Sequence, residues 1–127
     1  MPELDFDTFS IVARCTRTGM LGVAVATKRP AVGSLVPWVK ASVGAIASQA
    51  RTNPYLGIWG LAFLTQGLSA QEALKGILER DRGREWRQVG VVDVRGQSTS
   101  FTGSEVTPWA GGQTGPNYAV QGNILTL

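Results

Sequence analysis

The order of apolar and polar residues predicts β-strands near the start of the chain. Apolar and small residues run almost without interruption through three segments, Thr8–Cys15, Leu21–Thr27 and Val43–Gln49. A short turn separates the first two segments, so we expect them to pair as a hairpin. Runs as apolar as these are typical of strands that are covered on both faces.

Two helices are predicted after these strands. The dipeptide Asn53-Pro54 is a typical helix start, and apolar residues recur at helical spacing from there to Gly67. Ser69 and Glu72 have the spacing of a capping box, in which the two side chains satisfy backbone N–H groups at the start of a helix. We expect this second helix to end near Gly83.

Strands resume after the helices. Three segments have a strand pattern, namely Gln88–Val94, Ser98–Thr102 and Tyr118–Gly122. The segments 29–37 and 103–115 are rich in glycine, proline and polar residues, and we expect them to be loops. Strands at both ends with a block of helices between them favour a layered α/β or α+β sandwich over alternating βαβ units.

Length and composition narrow the possible chemistry. A chain of 127 residues is about the size of one domain. It contains no histidine and one cysteine, which excludes an imidazole-based catalytic triad, an imidazole metal ligand, an internal disulfide and a CxxC motif. We therefore expect neither a metal nor a cofactor. Cys15 is expected to be a small core residue.

The charge pattern favours a protein that binds neither nucleic acid nor membrane. The formal net charge is +3, and the arginines between positions 80 and 95 are interleaved with acidic residues. Such alternation is typical of a solvated helix end rather than a nucleic-acid patch. No apolar stretch reaches the roughly 18 residues of a membrane span, and the acidic N-terminus lacks the order of a signal peptide. We expect a cytoplasmic protein.

One type of catalytic site needs no histidine. An N-terminal threonine, serine or cysteine can act as nucleophile with its own α-amine as general base. Thr8 stands at the start of the first strand, and Lys28 follows the second, so the hairpin would return the lysine towards Thr8. Asn53, Gln49 and backbone amides are candidate oxyanion donors. The ordinary alternative stays open, since a threonine before a strand and a lysine after one are common strand-end residues.

A series of short motifs points to a known family. In chain order the motifs are Thr8–Ala13, Gly22–Lys28, Gly44–Ala50, Thr52–Pro54, Gly90–Asp93, Phe101–Gly103, Trp109–Gly111 and Tyr118–Asn123. Together they resemble a prokaryotic family called domain of unknown function 1028, which is grouped with the Ntn (N-terminal nucleophile) hydrolases. The resemblance implies an αββα four-layer sandwich with mainly antiparallel sheets and, by analogy with the superfamily, hydrolysis of an amide bond.

The chain departs from the family pattern in three ways. Family members often begin Met-Thr-Phe-Ser, whereas seven residues precede Thr8 here, so catalysis would need cleavage after Asp7. The histidine that usually follows Trp-Ala-Gly is replaced by Gly112, and the cysteine expected shortly before it by Val106. Family members also continue beyond Gln-Gly-Asn. We therefore expect an N-terminal extension (1–7) and the front part of an Ntn-like domain (8–127), with one helical layer truncated or supplied by another chain.

Two functional hypotheses follow. In the first, the protein is an amidohydrolase for a small-molecule, peptide or cell-wall-peptide-like amide, with Thr8 as nucleophile and Lys28 and Asn53 in support. Its candidate binding residues are Gln49, Asp93, Gln121 and Asn123. Asp93 equally fits a turn at the end of a strand. In the second, the sandwich is catalytically inactive and acts as a binding or assembly module. We expect a homo-oligomer or a complementing C-terminal chain.

Overall fold

The computed structural model describes residues 7–126, and these form eight β-strands and two α-helices. In chain order the elements are β1 (Thr8–Arg14), β2 (Leu21–Thr27), β3 (Pro37–Lys40), β4 (Gly44–Ala50), α1 (Tyr55–Thr65), α2 (Ala70–Arg80), β5 (Arg87–Asp93), β6 (Ser98–Thr102), β7 (Gly111–Gly115) and β8 (Tyr118–Asn123). Short 3-10 helices lie at Val32–Ser34 and Arg84–Trp86. Most of the predicted N-terminal extension, residues 1–6, lies outside the described residues.

The strands form two antiparallel sheets that pack face to face. Sheet A has the strand order β2-β1-β8-β7, and sheet B has the order β3-β4-β5-β6. Both helices pack on the face of sheet B that points away from sheet A. The expected α+β architecture is therefore confirmed, with the described residues forming three layers: helices, sheet B and sheet A.

The strongest local sequence signals are confirmed. β1 and β2 form the predicted hairpin, with Thr8 directly opposite Thr27. At the start of α2, the Ser69 hydroxyl accepts a hydrogen bond from the Glu72 N–H at 3.1 Å, and Ser69 N–H donates to Glu72 Oε1 at 3.0 Å. At the start of α1, the Tyr55 N–H donates to an Asn53 side-chain oxygen at 3.1 Å.

Three local expectations are wrong. Strand β3 is absent from the sequence prediction, and β7 lies in a glycine-rich segment that was expected to be a loop. β3 has only four residues and β7 reads Gly-Gly-Gln-Thr-Gly, so neither contains the apolar run by which strands are predicted. Cys15, expected in the core, is exposed in the turn after β1.

The expectation that the first hairpin is covered on both faces is also wrong for the described residues. In β1, Ser10 and Val12 are buried between the sheets, whereas Phe9 is 57% exposed and Ile11 is 38% exposed. The apolar run here reflects a strand with an apolar solvent-facing side. β4 is the strand that fits the expectation, since it is buried on both faces.

The layer between the two sheets is divided into an apolar half and a polar half. The apolar half contains Val12, Val36, Ala45, Ala47, Val92 and Ala119. The polar half contains Thr8, Ser10, Gln49, Gln88, Gln121 and Asn123, all at most 8% exposed. Buried amides and hydroxyls at this density require internal hydrogen-bond partners. This polar half determines where chemistry is possible.

A buried ion pair ties the end of α2 to the start of β5. Asp81 is 5% exposed, and its Oδ2 accepts a hydrogen bond from Arg87 Nε at 2.8 Å. Its other oxygen accepts the Gly83 N–H at 3.1 Å. Burial opposes ionisation of Asp81, but the bonds from Arg87 and Gly83 outweigh it and hold the pKa of the carboxyl below its ordinary value.

We expect Asp81→Asn to lower the free energy of unfolding by about 2 kcal/mol near neutral pH, because Arg87 loses a charged partner. A carboxyl pKa that is lowered by folding stabilises the protein fully above its unfolded value of about 3.9, and this stabilisation is lost as the pH falls through the folded value. Urea unfolding of both proteins at pH 7 and at pH 3 measures the difference, which should shrink in acid. Glu79→Gln, at an exposed position of the same helix, is the control. An equal difference at the two pH values would contradict this account.

Candidate functional site

Thr8 lies inside sheet A at the first position of β1. Its backbone is opposite Thr27 of β2 on one side and Asn123 of β8 on the other. The side chain points into the layer between the sheets and is only 8% exposed. Its Oγ1 is 3.0 Å from Oγ1 of Thr27, so the two hydroxyls share a hydrogen bond. Strand pairing on both sides therefore fixes the position of this hydroxyl.

Buried amides from both sheets meet next to Thr8. Gln49 and Gln88 are opposite each other in β4 and β5, and Gln49 Nε2 donates to Gln88 Oε1 at 2.8 Å. The same oxygen accepts Asn123 Nδ2 at 3.0 Å. Gln88 Nε2 donates across to the Gly122 carbonyl at 2.8 Å and to Thr102 Oγ1 at 3.0 Å. These bonds join sheet B to sheet A.

Gln121 extends this network along β8. Its Nε2 donates to the Ser10 hydroxyl at 2.7 Å, and its Oε1 accepts from the Ser100 hydroxyl at 3.4 Å. Gly90 of β5 makes room for this side chain, because a methyl group at position 90 would overlap the Gln121 amide. We call Gln49, Gln88, Gln121 and Asn123 the amide cluster; each is at most 3% exposed.

A small cavity adjoins Thr8 at the end of the sheets. Its volume is about 20 Å³, and its wall contains Thr8, Thr27, Arg29, Pro30, Val32, Leu35, Val36, Gln49, Ala50 and Thr52. We call it the Thr8 cavity. Ala50 has a φ of +70°, which is uncommon for a residue with a side chain and is concentrated at functional sites. Here it turns the chain out of β4 immediately after Gln49.

Lys28 follows Thr27, the residue paired with Thr8 in the sheet, and its side chain is largely exposed. The side chain that faces Thr8 is that of Thr27, and the Lys28 side chain is 74% exposed. Its ammonium forms an ion pair with Asp7 Oδ1 at 3.7 Å. The hairpin thus brings Lys28 to the residue that precedes Thr8.

Two other residues expected at the site are not part of the wall of the Thr8 cavity. Asn53 is at the start of α1, where its side chain accepts the Tyr55 N–H and bonds Asp81, and it is not part of the cavity wall. Asp93 is at the far end of β5, where Oδ2 accepts the Ala70 N–H at 3.0 Å and Oδ1 accepts two N–H groups of the following turn. Asp93 therefore organises a turn and the start of α2.

Gln88 and Thr27 belong to the site but were not among the predicted residues. Gln88 is the centre of the amide cluster, because it bonds both Gln49 and Asn123. The sequence does contain a signal for it: a glutamine at an inward position of an otherwise apolar strand must have a buried partner. What the sequence does not show is which strand of the other sheet supplies that partner.

A second, larger concavity lies on the opposite face of sheet A from the Thr8 side chain. It has a volume of about 600 Å³ and is largely apolar. Its main side chains are Phe9, Ile11, Ala24, Trp109, Val120 and Leu125. We call it the outer groove. Phe9 and Trp109 are 57% and 45% exposed.

Two further observations concern the described part of the chain. Residues 7–126 contain no group of three or more cysteine, aspartate or glutamate side chains that could hold a metal ion. Within the same residues, neither helix has the length and apolar character needed to cross a membrane.

Comparison with known proteins identifies the family. The model of a "Family of unknown function (DUF1028)" matches residues 8–127. The chain belongs to this family. It is also similar to the crystal structure of a DUF1028 protein from Silicibacter pomeroyi, with a TM-score of 0.91 and 34% sequence identity over 95% of this chain and 56% of that one. The chain therefore spans little more than half the length of that relative. Comparison with curated proteins gives no match.

We expect Gln88→Leu to lower the free energy of unfolding by about 3 kcal/mol, because several buried groups lose their hydrogen-bond partner at once. Chemical denaturation measures the loss. Gln113→Leu, at an exposed position of β7, is the matched control and should change stability by no more than about 0.5 kcal/mol. Similar losses in both variants would show that the amide cluster does not hold the sheets together.

Proposed function

We propose that this chain carries an Ntn-type amide-hydrolysing site in which Thr8 is the nucleophile once Met1–Asp7 has been removed. One observation supports this proposal above all. Thr8 is the first residue of a strand that is paired on both sides, and its hydroxyl adjoins a cavity beside buried amides. A terminus created at this point would be held firmly. Membership of the DUF1028 family adds to the case, as does the Ntn resemblance that the sequence motifs imply.

The proposed reaction needs no imidazole. The α-amine of Thr8, with an ordinary pKa of about 7.7–8.0, is partly neutral near pH 7 and takes the proton of the Thr8 hydroxyl. Oγ1 then attacks the carbonyl carbon of the amide substrate. The amine returns the proton to the leaving nitrogen as the C–N bond breaks, which leaves an ester on Oγ1. Water hydrolyses this ester by the same acid–base route and releases the carboxylic acid.

Cleavage after Asp7 would also change the charge around Thr8. The Asp7 carboxylate pairs with Lys28 in the intact chain. Its removal would leave the Lys28 ammonium next to the new α-amine. A nearby positive charge lowers the pKa of an amine and so favours the neutral, basic form. Because Lys28 is largely exposed, we expect this effect to be modest. Asn53 stays a predicted oxyanion donor in this scheme: its Oδ1 accepts the Tyr55 N–H, and Nδ2 is the group that would donate.

The decisive variants are at Thr8 in protein cut between Asp7 and Thr8. Thr8→Ala should lower the hydrolysis of amino-acid anilides by about 1,000-fold or more, because it removes the nucleophile, whereas Thr8→Ser should keep activity. Intact mass establishes whether cleavage occurs unaided. Thr114→Ala, at an exposed strand position, is the control. Equal activity of Thr8→Ala and wild-type protein would exclude Thr8 as the nucleophile.

A second candidate function is that of an assembly module, and the outer groove favours it. Monomeric proteins rarely expose a contiguous apolar patch larger than a few hundred Å². Phe9, Ile11 and Trp109 are all at least 38% exposed on one side of sheet A. We propose that in this case the partner is a second copy of the chain, which would bury the same residues from both molecules.

Under this second proposal the wild-type protein is a dimer, and Phe9→Lys converts it to a monomer because a charge cannot be buried in the groove. Light scattering coupled to gel filtration measures the mass. Met20→Lys is the matched control, because Met20 is 72% exposed in the turn after β1, outside the groove. A wild-type monomer, or dissociation by both substitutions alike, would contradict the proposal.

A further inference from the structure

The orientation of the Gln49 side chain is fixed by what surrounds it. Nε2 donates to Gln88 Oε1 at 2.8 Å and to the backbone carbonyl of Gln121 at 3.3 Å. A backbone carbonyl can only accept, and Gln88 Oε1 also accepts the Asn123 amide at 3.0 Å. Exchanging the oxygen and nitrogen of Gln49 would place an acceptor against two acceptors. Both amide hydrogens of Gln49 are therefore directed into the amide cluster.

The oxygen of the same amide is left without a donor. Among residues 7–126, no group donates a hydrogen bond to Gln49 Oε1, although Gln49 is only 1% exposed. Buried polar atoms in native proteins nearly always have a partner. Gln49 also forms part of the wall of the Thr8 cavity, together with Thr8 and Thr27. A volume of about 20 Å³ is enough for one small polar group.

We propose that Gln49 Oε1 is the acceptor of the Thr8 site and receives an N–H donor brought into the Thr8 cavity. Two groups can supply this N–H donor. One is the α-amine of Thr8 after cleavage, and this source rests on the proposed function. The other is the N–H of a small amide ligand, which requires no cleavage. Under this proposal Gln49 presents an acceptor to the cavity rather than the oxyanion donor expected from the sequence, because both of its amide hydrogens are directed into the amide cluster.

An acceptor at this position has a consequence for catalysis and for specificity. If the donor is the α-amine, a hydrogen bond to Gln49 restricts rotation of the amine and so orients its lone pair, which makes Gln49 a positioning residue. If the donor is a ligand, the site distinguishes an amide from the corresponding ester, because an ester has no N–H. An ester would leave Gln49 Oε1 buried without a donor, and the cost of that unpaired group makes the discrimination strong.

The test follows the side-chain amide signals of Gln49 by NMR in ¹⁵N-labelled protein, assigned through bonds. For this experiment a protease recognition site is introduced directly before Thr8 in the full-length chain. The folded protein is then cut there, so that Thr8 becomes its first residue. Spectra are compared before and after the cut across pH 6 to 9. The uncut protein is also titrated with acetamide and, as the matched ligand control, with methyl acetate. The signals of Gln66, an exposed glutamine, serve as the internal control.

Two results support the inference and identify the donor. If the donor is the α-amine, the Gln49 signals move on cutting and then titrate with the pKa of that amine. If it is a ligand, they move with acetamide and not with methyl acetate. Signals that stay fixed in both experiments overturn the inference. Where Gln49→Glu folds, its added negative charge should raise the pKa of the α-amine by about one unit relative to Gln66→Glu.

These measurements do not depend on activity, so the inference and the proposed function fail separately. If the Gln49 signals respond but the protein hydrolyses no anilide, the acceptor site is supported and the amidase proposal is refuted. If the protein is active but the Gln49 signals never respond, Thr8 is supported as the nucleophile and the role of Gln49 as acceptor is refuted.

Discussion

The hydrogen bonds of the amide cluster are the constraint on which the rest of the structure depends. An amide side chain carries two donors and an acceptor in fixed directions, so each buried glutamine demands partners at particular places. Gln88 satisfies this demand by bonding β4, β6 and β8 together. Apolar contacts are not directional, whereas these bonds require each donor and acceptor to meet at a particular distance and angle. The position of Thr8 relative to sheet B follows from this requirement.

Strand β1 serves two different surfaces because its side chains alternate. Thr8 and Ser10 face the amide cluster, while Phe9 and Ile11 face the outer groove. The two candidate functions, amide hydrolysis and assembly, thus use adjacent residues of one strand without sharing a side chain. The expected covering layer would lie on the face of sheet A that carries the outer groove. The amidase hypothesis concerns the opposite face, which carries Thr8.

Local signals in the sequence were sufficient for much of the fold and for little of the site. The first hairpin and the capping box of α2 could be predicted because the interacting residues are close in sequence. β3 and β7 could not, since a strand of four residues and one that reads Gly-Gly-Gln-Thr-Gly carry no regular apolar pattern. The sequence predicts Gln49 and Gln121 as candidate binding residues, but the direction of their hydrogen bonds depends on contacts between the sheets. Asn53 illustrates the same limit, because its partner Asp81 comes from the end of α2.

Gly90 shows how closely the two sheets are matched. A glycine in the interior of a strand ordinarily weakens a sheet, yet here its missing side chain is the space that the Gln121 amide occupies. The volumes at positions 90 and 121 are therefore complementary rather than independent. A larger residue at position 90 would require the Gln121 amide to move or to be shortened, so substitutions at the two positions are expected to be coupled.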